Sequence, residues 1–173
     1  MMTIISGTNR PESNTYKVLE YCVKAAANQG IDVRVLDLQE LPPTFLSEGI
    51  YGTPSDSFSQ ILEEKIVPAS HIIFIAPEYN GSFPGILKLF LDTAPPNLWR
   101  GKKAALIGVA TGRSGNQRGL DHLTAVLHYL QMEVYSQKPL LSSIHMYLNE
   151  EGNVSNKEYQ ILIDNQISGF KNF

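Results

Sequence analysis

An open, parallel α/β sheet with helices wound on both faces is the fold this sequence predicts. Short apolar runs alternate with amphipathic stretches through most of the chain. Residues 71–76 and 103–110 are continuous apolar runs with no polar alternation after their first residues, as expected of central strands covered on both faces. The runs at 2–6, 71–76 and 103–110 each stop abruptly at a loop of small polar residues. Right-handed crossovers leave few doubly wound strand orders. In such sheets ligands bind beyond the carboxyl ends of the strands, where the strand order reverses.

Each element has its own reason. Residues 2–6 are β-branched and apolar, a first strand; residues 15–29 place Val18, Leu19, Cys22, Val23 and Ala26 at helical spacing before Gly30 closes the helix. Residues 31–38 alternate, and Asp32 and Arg34 on one face predict a strand at the sheet edge. Residues 41–54 hold Pro42, Pro43, Gly49, Gly52 and Pro54, a long connection for a compact domain. Within it Phe45 and Tyr51 either cover a ligand or tack the loop to its own domain. Ser55 or Asp56 caps a second helix through Val67 with Phe58, Ile61, Leu62 and Ile66 as its stripe. The third strand follows, then a third helix carrying Ile86, Leu87, Phe90 and Leu91 and ending before Pro95-Pro96. After the fourth strand come a helix over 120–130, a fifth, irregular strand from 133–135 with 139–143, and a final helix over 157–170 with Ile161, Leu162 and Ile167 inward.

Composition excludes several functions. At 173 residues the chain is expected to form one domain, 1–173, large enough to bury about 70% of its unfolded surface. A net charge of −3 gives no electrostatic case for nucleic acid. The single Cys22 lies on the first helix's apolar face and reads as a buried, inert thiol. No apolar run approaches a membrane span and no targeting segment is visible, so a cytoplasmic location is expected. His71, His122, His128 and His145 lack ligand spacing and support no metal site. Trp99 is expected to pack at the lead-in to the fourth strand, and Tyr16, Tyr21 and Tyr129 fit helix core or interface positions.

The polar loops carry the chemistry. Ser6-Gly7-Thr8-Asn9-Arg10-Pro11-Glu12-Ser13-Asn14-Thr15 runs from strand to helix, and its hydroxyls, amides and one guanidinium suit an anion at a helix N-terminus. The same residues also suit an ordinary turn in which Ser13 or Asn14 only caps the helix. The loop has neither the Gly-Lys-Ser/Thr ending of a Walker A motif nor Gly-x-Gly-x-x-Gly, which disfavours triphosphate hydrolysis and a dinucleotide turn. Pro77-Glu78-Tyr79-Asn80-Gly81 and residues 111–119 are the corresponding loops of strands three and four.

Read together, these stretches resemble the NAD(P)H-dependent FMN reductases of the flavodoxin-like fold, a family that includes quinone, azo-dye and chromate reductases. Gly7-Thr8-Asn9-Arg10-Pro11-Glu12-Ser13 is similar to the family's Gly-Ser-x-Arg-x-x-Ser phosphate loop, and Pro77-Glu78-Tyr79-Asn80-Gly81-Ser82 to its flavin-ring loop. Pro84-Gly85-Ile86-Leu87-Lys88, Asp92 and Gly101-Lys102-Lys103 continue the pattern. The resemblance implies a five-stranded sheet of order 2-1-3-4-5. It also implies FMN as cofactor with NAD(P)H as co-substrate, a small acceptor such as a quinone, an azo or nitro compound or a metal oxyanion, and a homodimer or homotetramer. By the same token Thr8, Arg10, Ser13, Asn14 and Thr15 surround the FMN phosphate. Pro77, Glu78, Tyr79, Asn80 and Gly81 lie along the ring, with Tyr79 or Asn80 setting its tilt, and Thr111 and Gly112 complete the far edge. Glu78 is expected to order its loop or meet a neighbouring subunit, and no residue is expected to act as an acid or base, since flavin hydride transfer does not need one. The 111–119 loop departs from the family's Ser-x-Gly-Gly run by carrying Arg113 and Arg118, which either meet the 2′-phosphate of NADPH or are solvated or subunit-facing charges.

Overall fold

A computed structural model describes residues 1–45 and 54–173; Gly49, Tyr51 and Gly52 of the long connection lie outside the described residues. The sheet has the order β2-β1-β3-β4-β5. Its strands are β1 (Met2–Ser6), β2 (Val33–Asp37), β3 (His71–Pro77), β4 (Lys103–Val109) and β5 (Glu133–Val134), with β6 (Leu140–Leu141) also on β4, and every pair is parallel. This is the flavodoxin-like order, with the reversal between β1 and β3. β2 is the edge strand that Asp32 and Arg34 predict.

The fifth strand comes in two pieces, and the reason is local chemistry. β5 pairs with the start of β4 (Lys103 with Glu133) and β6 with its end (Gly108 with Leu140). Between them the β4 edge keeps the carbonyl of Leu106, and the buried Gln166 side chain donates to it at 2.8 Å and to the carbonyl of Gln137 at 2.8 Å. A side-chain amide fills the gap that a continuous strand's N–H groups would have closed.

The helices α1 (Asn14–Asn28), α2 (Asp56–Ile61, continuing as a π-turn over Leu62–Ile66), α3 (Gly85–Thr93), α4 (Gln117–Tyr129) and α5 (Lys157–Lys171) cover both faces. Alternation along β3 separates the two cores. Ile72 and Phe74 pack with Phe58, Leu87, Phe90 and Leu123 from α2, α3 and α4. Ile73 and Ile75 pack with Val18, Leu19 and Cys22 from α1 and Ile163 and Ile167 from α5. Burial pushes the Cys22 thiol pKa up, so the sulfur stays protonated and inert. Phe45 is buried with its ring 5.0 Å from Phe58, which makes it the loop's tack.

The inward face of α5 differs from the expectation. Ile161 is 57% and Leu162 39% exposed, while Tyr159, Ile163, Gln166, Ile167 and Phe170 face the sheet. An inward polar Gln166 shifts the stripe that apolar periodicity alone would draw. Of the core or interface positions expected for Tyr129, the structure excludes the core: it ends α4 89% exposed. Tyr21 donates to Asp164 at 3.2 Å, and burial with that carboxylate pushes its pKa up to about 12.

Lys102 closes the second helix. Its Nζ donates to the carbonyls of Ile66, Val67 and Ala69 at 3.0, 3.2 and 2.6 Å, a cation at a helix C-terminus. Burial lowers its pKa. Among the described residues no helix is long and apolar enough to cross a membrane.

Candidate functional site

At the carboxyl ends of β1, β3 and β4 lies a cleft of about 280 Å³. Arg10, Glu12, Ser13, Asn14 and Thr15 form one side, Pro77, Glu78 and Tyr79 the second, and Val109, Ala110, Thr111 and Ile144 the third. It stands where the sheet order reverses, the expected ligand position for this topology.

The first loop is held from below. Gly7 donates to the carbonyl of Ile75 at 2.8 Å, and a Cβ on Gly7 would lie 2.8 Å from that same oxygen, so only glycine lets the chain leave β1 this close to β3. Thr8 is fully buried; its Oγ1 accepts the Arg10 N–H at 3.2 Å and lies 2.9 Å from the Tyr79 hydroxyl. Ser13 is the N-cap of α1, accepting from the Tyr16 N–H at 3.1 Å, yet it also lines the cleft. Cap and cleft wall are therefore one residue, with the Ser13 O–H still available to donate. The amides of Asn14 and Thr15 open the helix and have no intrahelical acceptor. Among the described residues Arg10 has no ion pair. Guanidinium, hydroxyls and amides on one wall form a donor set suited to a phosphate dianion.

Sequence reasoning missed Glu12, whose φ of 52° is left-handed and which lines the cleft. A glutamate in this region is strained by about 1–2 kcal/mol, whereas asparagine visits it readily. Glu12→Asn is expected to raise unfolding free energy by about 0.5–1 kcal/mol in urea titration. It should also tighten anion binding by removing a like charge; an unchanged urea midpoint would mean the loop relaxes this strain.

The second loop turns on Asn80 and Gly81, at φ 51° and 78°. Tyr79 and Ser82 exchange backbone hydrogen bonds of 2.9 and 3.1 Å across them, the pattern of a type I′ turn, for which Asn-Gly is the favoured pair. Asn80 and Gly81 form the turn, outside the cleft lining, while Pro77, Glu78 and Tyr79 form the wall.

The third loop is strapped to the second. Ser114 Oγ donates to the Glu78 carboxylate, and the Asn116 side chain donates to the carbonyl of Ala76 at 2.9 Å. Glu78 thus orders the two loops, one of its expected roles. Thr111 lines the cleft; the carbonyl of Gly112 instead accepts from the Ser143 N–H at 2.9 Å, outside the lining. Arg113 is exposed, and an Arg118 Nη1 lies 3.0 Å from where a Gly81 Cβ would stand. His122 Nδ1 is 2.9 Å from Ser82 Oγ beside the same turn. Among the described residues no group of three His, Cys, Asp or Glu is placed to hold a metal ion.

Val109, Ala110 and Ile144 were also missed as lining residues. The first two read as the end of a buried strand, and only their position just before Thr111 marks them. Ile144 arrives from a 3₁₀ turn (Ile144–Tyr147), its N–H donating to the carbonyl of Ala110 at 3.0 Å, and has no local signal.

Comparison with known proteins agrees with this architecture. An NAD(P)H-dependent FMN reductase of Pseudomonas aeruginosa is 26% identical over 171 residues, covering 96% of this chain and 91% of the relative. A 2-hydroxy-1,4-benzoquinone reductase of a Burkholderia species is 28% identical over 140 residues, covering 79% of this chain and 74% of the relative. In fold, the chain superposes on the flavoenzyme NAD(P)H:(acceptor) oxidoreductase FerB of Paracoccus denitrificans with a TM-score of 0.78, at 22% identity and covering 99% and 94% of the two chains. The profile of one family spans residues 1–145, all three loops included, and by that match the chain belongs to the NADPH-dependent FMN reductase family.

Proposed function

We propose that the cleft holds FMN and that the protein passes reducing equivalents from NAD(P)H to a small organic acceptor, a quinone or an azo or nitro compound, with metal oxyanions as a further class. The observation that carries this reading is the convergence of Arg10, which has no ion pair among the described residues, the Ser13 hydroxyl and the opening of α1 on one wall of a cleft whose second wall is Pro77, Glu78 and Tyr79. The donor set fits the single terminal phosphate of FMN, and the wall of Pro77, Glu78 and Tyr79 matches the loop that the family resemblance assigns to the flavin ring. Bound FMN supplies the hydride chemistry between nicotinamide and acceptor.

The chain's own residues bind and orient. Arg10 balances the phosphate charge, and Ser13, Asn14 and Thr15 donate to its oxygens. Pro77 and Glu78 would back the ring, and the Ser114 and Asn116 bonds hold the third loop against the second. The homodimer or homotetramer belongs to this reading, and sedimentation of the holoprotein measures it directly.

An anaerobic absorption spectrum before and after NADPH tests the proposal. Yellow protein that bleaches supports the reductase. Yellow protein that stays oxidised points to an electron carrier served by a protein partner, and colourless protein that refuses added FMN overturns the flavin reading.

A further inference from the structure

We infer that Thr8 is a positioning residue that aims the Tyr79 hydroxyl at the phosphate end of the cleft, so that Tyr79 donates to an FMN phosphoryl oxygen while Thr8 itself touches no ligand. The inference rests on the reading that the cleft holds FMN. It changes the roles expected of both residues: Thr8 as a direct phosphate ligand and Tyr79 as a support for the ring.

The argument is a count of hydrogens. A threonine hydroxyl has one hydrogen to donate and two lone pairs to accept with. Thr8 is fully buried, and its Oγ1 already accepts the Arg10 N–H at 3.2 Å, the local turn that bends the chain out of β1. Among the described residues the remaining neighbour within hydrogen-bond distance is Tyr79 Oη, at 2.9 Å. Were Tyr79 to donate to Thr8, the Thr8 hydrogen would be buried without an acceptor, which folded proteins avoid. The polarity therefore runs from the Arg10 N–H to the Thr8 oxygen and from the Thr8 O–H to the Tyr79 oxygen. Tyr79 keeps its own hydrogen, has no other side-chain partner among the described residues, and lines the cleft. Its oxygen is tethered to the first loop beside Arg10 rather than out over the 80–81 turn, so the hydrogen serves an acceptor at the phosphate end. A chain of donors pointed at one oxygen polarises each member, which suits an anion better than a neutral group.

FMN and riboflavin differ by that phosphate, and titrating both by flavin fluorescence separates the possibilities. Tyr79→Phe is expected to weaken FMN about tenfold, the typical effect of one hydrogen bond, and to leave riboflavin unchanged. Thr8→Val should reproduce that selective loss, Thr8→Ser should restore wild-type affinity, and the Thr8→Val/Tyr79→Phe double variant should lose no more than the larger single loss. A further tenfold loss in the double variant would show that Thr8 grips the phosphate itself. An equal loss for both flavins would show that Thr8 only supports the fold, and unchanged FMN affinity in Tyr79→Phe would remove Tyr79 from the phosphate. Those outcomes overturn the relay and leave the FMN reading standing, whereas a wild-type protein that binds neither flavin overturns both.

Discussion

Arg10→Ala is expected to weaken FMN binding by about 10- to 100-fold, the range for losing a hydrogen bond to a charged group. Riboflavin affinity should be unchanged. The side chain is exposed and has no ion pair among the described residues, so it contributes little to the folded state of the free protein. A surface change of this kind alters stability by less than about 0.5 kcal/mol, which makes the substitution a clean probe of the ligand. Ser13→Ala is less clean, because Ser13 caps α1 and its removal also costs about 1 kcal/mol of helix stability. The wild-type affinity should fall with added salt, and the Arg10→Ala affinity should fall less, since one partly exposed charge pair has gone. Undiminished FMN affinity, measured by fluorescence quenching, would leave the first loop as a helix cap alone.

How far the sequence exposed this arrangement depends on which residues carried the signal. The parallel sheet, the edge position of β2 and the rim formed by the three loops follow from hydrophobic runs, alternation and small polar breaks, because a strand buried on both faces admits few other residues; the order 2-1-3-4-5 rests on the family resemblance. The split of the fifth strand was legible only as irregularity: its cause, Gln166, lies beyond the strand, and a buried glutamine looks like a surface residue. The same Gln166 misplaced the inward face of α5, where Ile161 and Leu162 stand outside. In the cleft, polar lining residues announced themselves and apolar ones did not, since Val109, Ala110 and Ile144 are core residues by composition. Asn80-Gly81 is read from the sequence only as part of the ring loop, and the backbone angles add that the pair makes its turn. The burial of Thr8 was not legible at all, because a threonine in a polar loop gives no sign of facing inward.

Trp99→Ala is expected to cost about 3–5 kcal/mol of unfolding free energy, a large share of the roughly 5–15 kcal/mol typical of a domain. Trp99 is fully buried just before β4, edge-on to Phe90 with centroids 5.8 Å apart. Phe90 in turn meets Phe58 at 6.1 Å, and Phe58 meets Phe45 at 5.0 Å. One aromatic row thus joins the long connection, α2, α3 and the lead-in to β4. Alanine would open a cavity at its end that the close-packed sheet cannot fill. Among the described residues the Trp99 indole N–H has no hydrogen-bond partner, so Trp99→Phe should be much milder because it keeps most of the ring contact and removes a donor with no acceptor among them. At about 2–4 °C per kcal/mol for a chain of this size, Trp99→Ala should lower the flavin-free melting temperature by roughly 6–20 °C. Trp99 leads into the amino end of β4 and the cleft lies at the carboxyl ends of the strands, so the fraction still folded should bind FMN with wild-type affinity. An affinity loss at a temperature where the variant is folded would show that packing at one end of the sheet governs the geometry of the loops at the other.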